Sequence, residues 1–383
     1  MQKEKEIPLF KVYMSDESIE RVDSVLSSGF IGQGEVVDEF ENMIKDIFQW
    51  DYILTVNSAT SAEHLALHML KTTRGLKPGD EVLATPLTCT ASNWPILANG
   101  LKIKWVDVDP NTLNMDIDDL ARKIGPETRA VMLVHWGGFP NDLDRVKQVI
   151  QNAESIYGNK IYVIEDCAHA MGSTYKGRRI GTHDNICTFS LQAIKHVTSG
   201  DGGILFLPSD SADLYKKGKL LRWYGIDRET NRKDFRCEAD VAEWGFKFHM
   251  NDINAAIGIG NMKQMSHIIA GHNSNGKFYD RELKGIDGVT VLRKNIPYEY
   301  ESSFWIYSIL VERKMDFQRA MKDRGIACSQ VHERNDIHTT VREYKSLLPS
   351  LDTITPRLSS IPVGWWVTDE DRERIVEAIK KGW

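Results

Sequence analysis

Two carboxylates, a lysine and a loop of hydroxyls and glycines follow one another between Ile161 and Gly203. Ile161 to Ile164 is a short apolar run that breaks off at Glu165 and Asp166, the pattern of a buried parallel strand delivering carboxylates at its carboxyl end. Ligands of open α/β sheets bind at that end. A second β-prone run, Asn185 to Leu191, leads to Lys195 and then to Thr198-Ser199-Gly200-Asp201-Gly202-Gly203. An acid, a lysine and such a loop are the parts of a pyridoxal phosphate site. Lysine forms a Schiff base with the cofactor aldehyde, and a carboxylate beside the pyridine nitrogen keeps the ring protonated, so that it absorbs the electrons of a carbanion. Asp166 is the candidate carboxylate and Lys195 the candidate lysine. The lysine must lose its proton to attack, so it is expected where burial and a nearby positive charge lower its pKa. Each residue alone has a plainer reading: Asp166 suits a helix cap, Lys195 is one of 48 lysines and arginines, and the glycines suit a tight turn. Their joint order favours chemistry.

The elements that must position these residues alternate along the chain. Helices are expected over Asp16–Ser27 and Val36–Phe48, joined by the glycine-spaced loop Gly29 to Gly34. Strands are expected at Tyr52–Val56, Val82–Thr85, Ile103–Val108, Ala130–Val134 and Ile204–Leu207, with helices at Asp116–Ile124 and Leu143–Ser155. Such alternation signals a parallel sheet with helical crossovers. The strand ending at Val56 runs into Asn57-Ser58-Ala59-Thr60-Ser61, a helix start whose open N–H groups and dipole favour an anion, with capping by Ser58 or Thr60 a compatible role. His135 reads as a core-edge residue without chemistry. A helix from Asp252 to about Ile269 should lead into a smaller α+β lobe with strands Val289–Leu292 and Phe304–Val311 and helices Asp316–Arg324 and Asp369–Lys381. The expected division is a large cofactor-binding domain, residues 1–260, and a small C-terminal domain, residues 261–383.

The 383 residues, 42% hydrophobic and 27% charged, suffice for two cores. A net charge of −6 with dispersed basic residues gives no field for nucleic acid. No apolar run approaches the roughly 20 residues that span a bilayer, and the start MQKEKEIPLF lacks the apolar segment of a signal peptide. Cys89, Cys167, Cys187, Cys237 and Cys328 form no C-x-x-C pair, which argues against a zinc site or a disulfide framework and points to a reducing cytoplasm.

The stretch IEDCAHAMGSTYKGRRIGTHDNICTFSLQAIKHVTSGDGG resembles the core of the DegT/DnrJ/EryC1/StrS family of pyridoxal phosphate-dependent aminotransferases. That family's pattern runs I-E-D-x-A-x-A-x-G, then G-x-x-G, F-S-F, the Schiff base lysine and T-x-G-E-G-G. The resemblance implies the fold type I architecture, a mostly parallel seven-stranded sheet flanked by helices with a smaller α+β domain. It makes Thr60 and Ser61 the phosphate-binding end of a motif usually read S-G-T-A-A-L, although Ala59 replaces the glycine and Glu63 the leucine. Cys89 falls where relatives stack an aromatic on the cofactor ring, so either a thinner side chain packs there or Trp94 takes the role. His169 is expected near the ring oxygen and Ser190 on the phosphate.

The segment Glu243 to Ala256 matches G-x-N-x-R-M-x-x-x-x-A-A with Lys247 for the asparagine and His249 for the arginine. That asparagine reaches the phosphate from a second subunit, and a lysine there would bring a full charge. Gln330, His332 and Arg334 lie where relatives place substrate contacts. The expected protein is a cytoplasmic homodimer with a shared active site, taking an amino group from glutamate. The expected acceptor is a keto sugar, nucleotide-activated, in surface polysaccharide (capsule or O-antigen) biosynthesis. Lys247 and His249 motivate an alternative acceptor, a small phosphorylated ketone such as dihydroxyacetone phosphate, giving serinol phosphate. Lys195 disfavours both a sugar dehydratase, which carries histidine there, and a non-catalytic relative.

Overall fold

The computed structural model describes residues 6–228, 240–297 and 299–383. The expectations for Cys237 and for the first five residues of the N-terminal start lie outside the described residues. The chain begins with α1 (Asp16–Ser28), which Ser15 caps by accepting from Ser18 N, and α2 (Glu35–Phe48). Then come β1 (Ile53–Val56), α3 (Ala59–Arg74), β2 (Glu81–Ala84), α4 (Thr90–Ala98), β3 (Lys102–Trp105), α5 (Ile117–Lys123) and β4 (Thr128–Val134). They are followed by α6 (Leu143–Tyr157), β5 (Tyr162–Asp166), the short β6 (Thr174–Tyr175) and β7 (Arg178–Arg179), β8 (Ile186–Ser190), β9 (Gly203–Phe206) and α7 (Ala212–Leu221).

Seven strands form one sheet in the order β1-β9-β8-β5-β4-β2-β3. β9 runs antiparallel to β1 and β8, and the other pairings are parallel. Alternate residues of each strand feed two cores, as the two-residue period of a strand requires. Leu54, Val56, Val82, Ala84, Ala130 and Met132 pack with Leu65, Ala66 and Leu70 of α3 on one face. Ile53, Leu83, Val131 and Leu133 pack with Phe40 and Ile44 of α2 on the other. Burying each such Val, Leu or Ile contributes about 1.5–3 kcal/mol.

The C-terminal part holds α8 (Asp252–Met262), α9 (Met265–Glu282), β10 (Val289–Val291), β11 (Tyr300–Glu301), β12 (Tyr307–Val311), α10 (Lys314–Asp323), α11 (Pro349–Ile354), β13 (Leu358–Ile361) and α12 (Asp369–Lys380). β10, β12 and β13 form a three-stranded sheet, and β11 joins the hairpin β6–β7 in another. The single helix expected from Asp252 to Ile269 is two helices. The chain turns after Asn261, whose side chain accepts from Ser15 N at 3.0 Å and donates to Thr198 O at 2.8 Å. The strand expected from Phe304 starts at Tyr307, because residues 302–306 pack against the loop that carries Lys195. Helix α4 and strand β13 were not expected. α4 opens Thr90-Ala91-Ser92-Asn93 and contains Pro95, a composition that reads as loop until tertiary packing overrides it.

Candidate active site

The carboxyl ends of β1, β8, β5 and β4 share one edge of the sheet, and pairing aligns their last residues. Val56 pairs with Gly203, Gly203 with Ser190, Asp166 with Thr188 and Val134 with Asp166. Gly203 is required by close approach: a Cβ there would meet the backbone of Ser58 and Ala59 at 2.4–2.5 Å. That contact sets the start of α3 directly beside Ser190. Ser58 caps the helix by accepting from Ser61 N, and the N–H groups of Ala59 and Thr60 have no acceptor among the described residues. A helix start of this kind holds an anion.

Asp166 is buried at the end of β5. Its Oδ2 accepts from Ser92 Oγ at 2.6 Å and its Oδ1 from Ala168 N at 2.9 Å, so both oxygens are held before any ligand arrives. Ser92 Oγ also lies 2.8 Å from Thr88 Oγ1. The unexpected helix α4 thus positions the carboxylate. Nothing in the sequence singled out Ser92; its only signal is the four-residue spacing from Thr88.

Lys195 lies in the loop after β8, closed by Leu191 N donating to Gly202 O and Ser199 N to Leu191 O. Burial lowers its pKa to about 8, against the opposing pull of Asp166 and Cys89. The nearby positive charge expected to do this is not the cause. The amine rests 3.7 Å from the ring centroid of Trp305, a residue expected from the sequence in the strand Phe304–Val311. His169, three residues after Asp166, stacks on Trp305 at 3.8 Å and accepts from Gly137 N through Nδ1. Burial, then Lys195, hold its pKa well below the usual value.

Cys89 precedes α4, near enough to Lys195 and Glu63 to affect the ionisation of both. Trp94 instead sets its ring edge-on to His338 at 5.8 Å. Glu63 is 1% exposed. Burial, then Asp166 and Cys89, raise its pKa well above normal, and among the described residues only Thr188 Oγ1 reaches it, at 3.4 Å.

His332 joins the same group: its ring is 5.7 Å from that of His169 and 6.0 Å from that of Trp136, and its buried Nε2 has no partner among the described residues. Burial, then Lys195, push its pKa down to about 4. Arg334 does not join it. Its guanidinium is engaged by Asp336 through two bonds of 2.6–2.7 Å and by Asp352. Lys247 is exposed, with its carbonyl accepting from Asn57 Nδ2 beside the start of α3. His249 packs on Trp223, and burial lowers its pKa to about 4.

Behind the site, His135 Nε2 lies 2.8 Å from Glu165 Oε2, while its Nδ1 accepts from Asn141 N and Glu165 Oε1 accepts from Asn185 Nδ2. Both ring nitrogens are used, so the buried cluster of His135, Glu165 and Cys167 is a hydrogen-bonded brace between β4 and β5.

A buried acid, a lysine of lowered pKa and an open helix start at one sheet edge fit pyridoxal 5′-phosphate, and with this fold they define a fold type I aminotransferase dependent on that cofactor. The chain belongs to the DegT/DnrJ/EryC1/StrS aminotransferase family, whose model matches residues 12–380. It is similar to AtS13 from Actinomadura melliaura, at 46% identity and TM-score 0.94 over 100% of both chains. It is also similar to the sugar aminotransferase CalS13 from Micromonospora echinospora, at 47% identity and TM-score 0.93 over 98% of this chain and 100% of that one. The UDP-4-amino-4-deoxy-L-arabinose–oxoglutarate aminotransferase of Shewanella sediminis is 30% identical over 98% of this chain and 97% of its own.

Proposed function

We propose that this aminotransferase moves an amino group from glutamate to a nucleotide-activated keto sugar for surface polysaccharide. The observation that carries the reading is the meeting of Lys195, Asp166 and the open start of α3 at one sheet edge. Bound pyridoxal phosphate supplies an electron sink for the carbon that loses a proton. In this reading Lys195 holds the cofactor aldehyde and, once freed, moves the proton; an amine with a pKa of about 8 both takes and gives one near neutrality. Asp166, braced by Ser92, would hold the ring nitrogen protonated. Thr60, Ser61, Ser190 and the N–H groups of Ala59 and Thr60 take the phosphate, with Lys247 as a further contact. Cys89 would pack on the ring and His169 would lie beside its oxygen. His332, whose Nε2 has no partner among the described residues, faces the acceptor, and Arg334 supports it by holding the loop.

The acceptor side of Lys195 is built of Trp136, His169, Trp305 and His332, and burial keeps both histidines neutral. Aromatic faces without fixed positive charge suit a sugar ring better than a small phosphorylated ketone, and His249 adds no charge near neutral pH. Homodimerisation is part of the proposal, supported by Phe30 and Ile31, large apolar side chains exposed in the loop between α1 and α2. So is a cytoplasmic location; no helix among the described residues is long and apolar enough to cross a membrane. We also assign residues 1–260 to the cofactor-binding domain and 261–383 to the small one. The third hydrophobic cluster, centred on β12, α10 and α12, supports the second unit, and Ile7 joins it from the N-terminus.

Absorbance spectra before and after adding glutamate test the first half reaction: the visible band of lysine-bound cofactor should collapse. No band after incubation with pyridoxal phosphate would overturn the role of Lys195. Turnover with nucleotide-linked keto sugars but not with dihydroxyacetone phosphate is the expected acceptor result, and the reverse would replace the sugar by the phosphorylated ketone.

A further inference from the structure

We propose that Trp305 is a positioning residue for Lys195, through which the C-terminal part of the chain holds the free amine on an indole face and fixes the backbone beside it. The Nζ lies 3.7 Å from the ring centroid. The indole N–H donates to Ile194 O at 2.9 Å, and His196 Nε2 lies 2.9 Å from Ser303 O, so the residues on both sides of Lys195 are tied to the segment 303–305. The ring itself cannot drift. Phe10 stacks on it at 5.2 Å and His169 at 3.8 Å, and Trp305 is buried.

The physical consequence concerns the lysine when it is not bonded to anything. An aromatic face attracts an ammonium group through its quadrupole, without a fixed hydrogen bond that would have to break on release. Burial opposes the charged form, so the two influences leave an amine that is held in place but not locked in one protonation state. Its value for catalysis rests on the proposed role of Lys195, because a displaced lysine must stay within reach of the carbon whose proton it moves.

The test uses the full-length chain freed of cofactor, so that its outcome does not depend on that role. The pH dependence of Lys195 acylation by a small amine-reactive reagent is read by peptide mass spectrometry in the wild type, Trp305→Phe and Trp305→Leu. The apparent pKa should fall in the order Trp, Phe, Leu, over about half a unit or more, as the ring–cation attraction weakens and then disappears. A merely structural Trp305 would lower the melting temperature without producing that order. Equal values in all three proteins, or the reverse order, would overturn the proposal. Should the leucine variant not fold, the tryptophan–phenylalanine comparison decides in the same direction. Failure of the site reading has a separate mark, turnover that survives Lys195→Ala.

Discussion

At the scale of residues, two neighbouring carboxyl groups at the site have different surroundings. Asp166 is held by two donors, and Glu63, beside it, has its pKa raised by burial, then by Asp166 and Cys89. A group whose folded pKa exceeds its unfolded value lends stability that is fully present below the unfolded pKa and lost as pH rises toward the folded one. Glu63→Leu should therefore raise the melting temperature more at pH 8 than at pH 5; a pH-independent difference would show that Glu63 does not carry a proton in the folded state. Ser92→Ala leaves an oxygen of Asp166 without its donor and should cost about 1–3 kcal/mol in chemical unfolding, together with weaker cofactor binding by titration. Lys195→Ala should abolish the visible cofactor band and reduce turnover by at least about 10²–10⁴-fold, the usual share of a proton-transfer group. Full activity in that variant would remove the mechanism.

At the scale of elements, the helix ends differ in where their caps come from. α12 carries a capping box in its own sequence, Thr368 with Asp371, and α5 and α6 are capped by Asp116 and Asp142. α2 starts at Gly34, which has no side chain to cap with. Asp252, from the first turn of α8, replaces it: Oδ1 accepts from Gly34 N at 2.7 Å and from Val37 N at 3.2 Å. Asp252→Ala should cost about 1–2 kcal/mol, the worth of a cap, in urea unfolding. Gly34→Ala should destabilise too, since its Cβ would lie 2.6 Å from Asp252 Oδ2. The same logic explains the brace of His135 and Glu165, which joins two strands behind Asp166 rather than supplying a ligand.

At the scale of the whole molecule, the large sheet and the C-terminal part meet at the lysine. Trp305 and His196 form one tie, and Ile7, whose N–H donates to Gly325 O at 2.8 Å and whose carbonyl accepts from Ala327 N at 3.0 Å, forms another from the far end of the chain. Away from that junction, Arg222 at the end of α7 pairs with buried Glu41 of α2 and donates to Thr55 O of β1. Burial alone would raise the pKa of Glu41, but Arg222 and the two hydrogen bonds from Thr55 together outweigh it and lower it. The proposed dimer is tested at this scale: Phe30, 81% exposed, lies on the loop between α1 and α2, and Phe30→Glu should shift the sedimentation coefficient from dimer to monomer. An unchanged dimer would place the interface elsewhere.

The order of acid, lysine and glycine loop, the alternation of strands and helices, and the side-chain cap of α3, expected at Ser58 or Thr60 and made by Ser58, were legible in the sequence. Each depends on residues a few positions apart, whose relation a strand or helix period determines. Trp305 on Lys195, Ser92 on Asp166, Asp252 at the start of α2 and the burial of Glu63 were decided by the tertiary structure. Each joins segments that only the crossovers of the sheet and the return of the C-terminal part bring together, and no local period carries that information. The sequence therefore specified the chemistry and the scaffold, while packing specified the groups that aim and tune them.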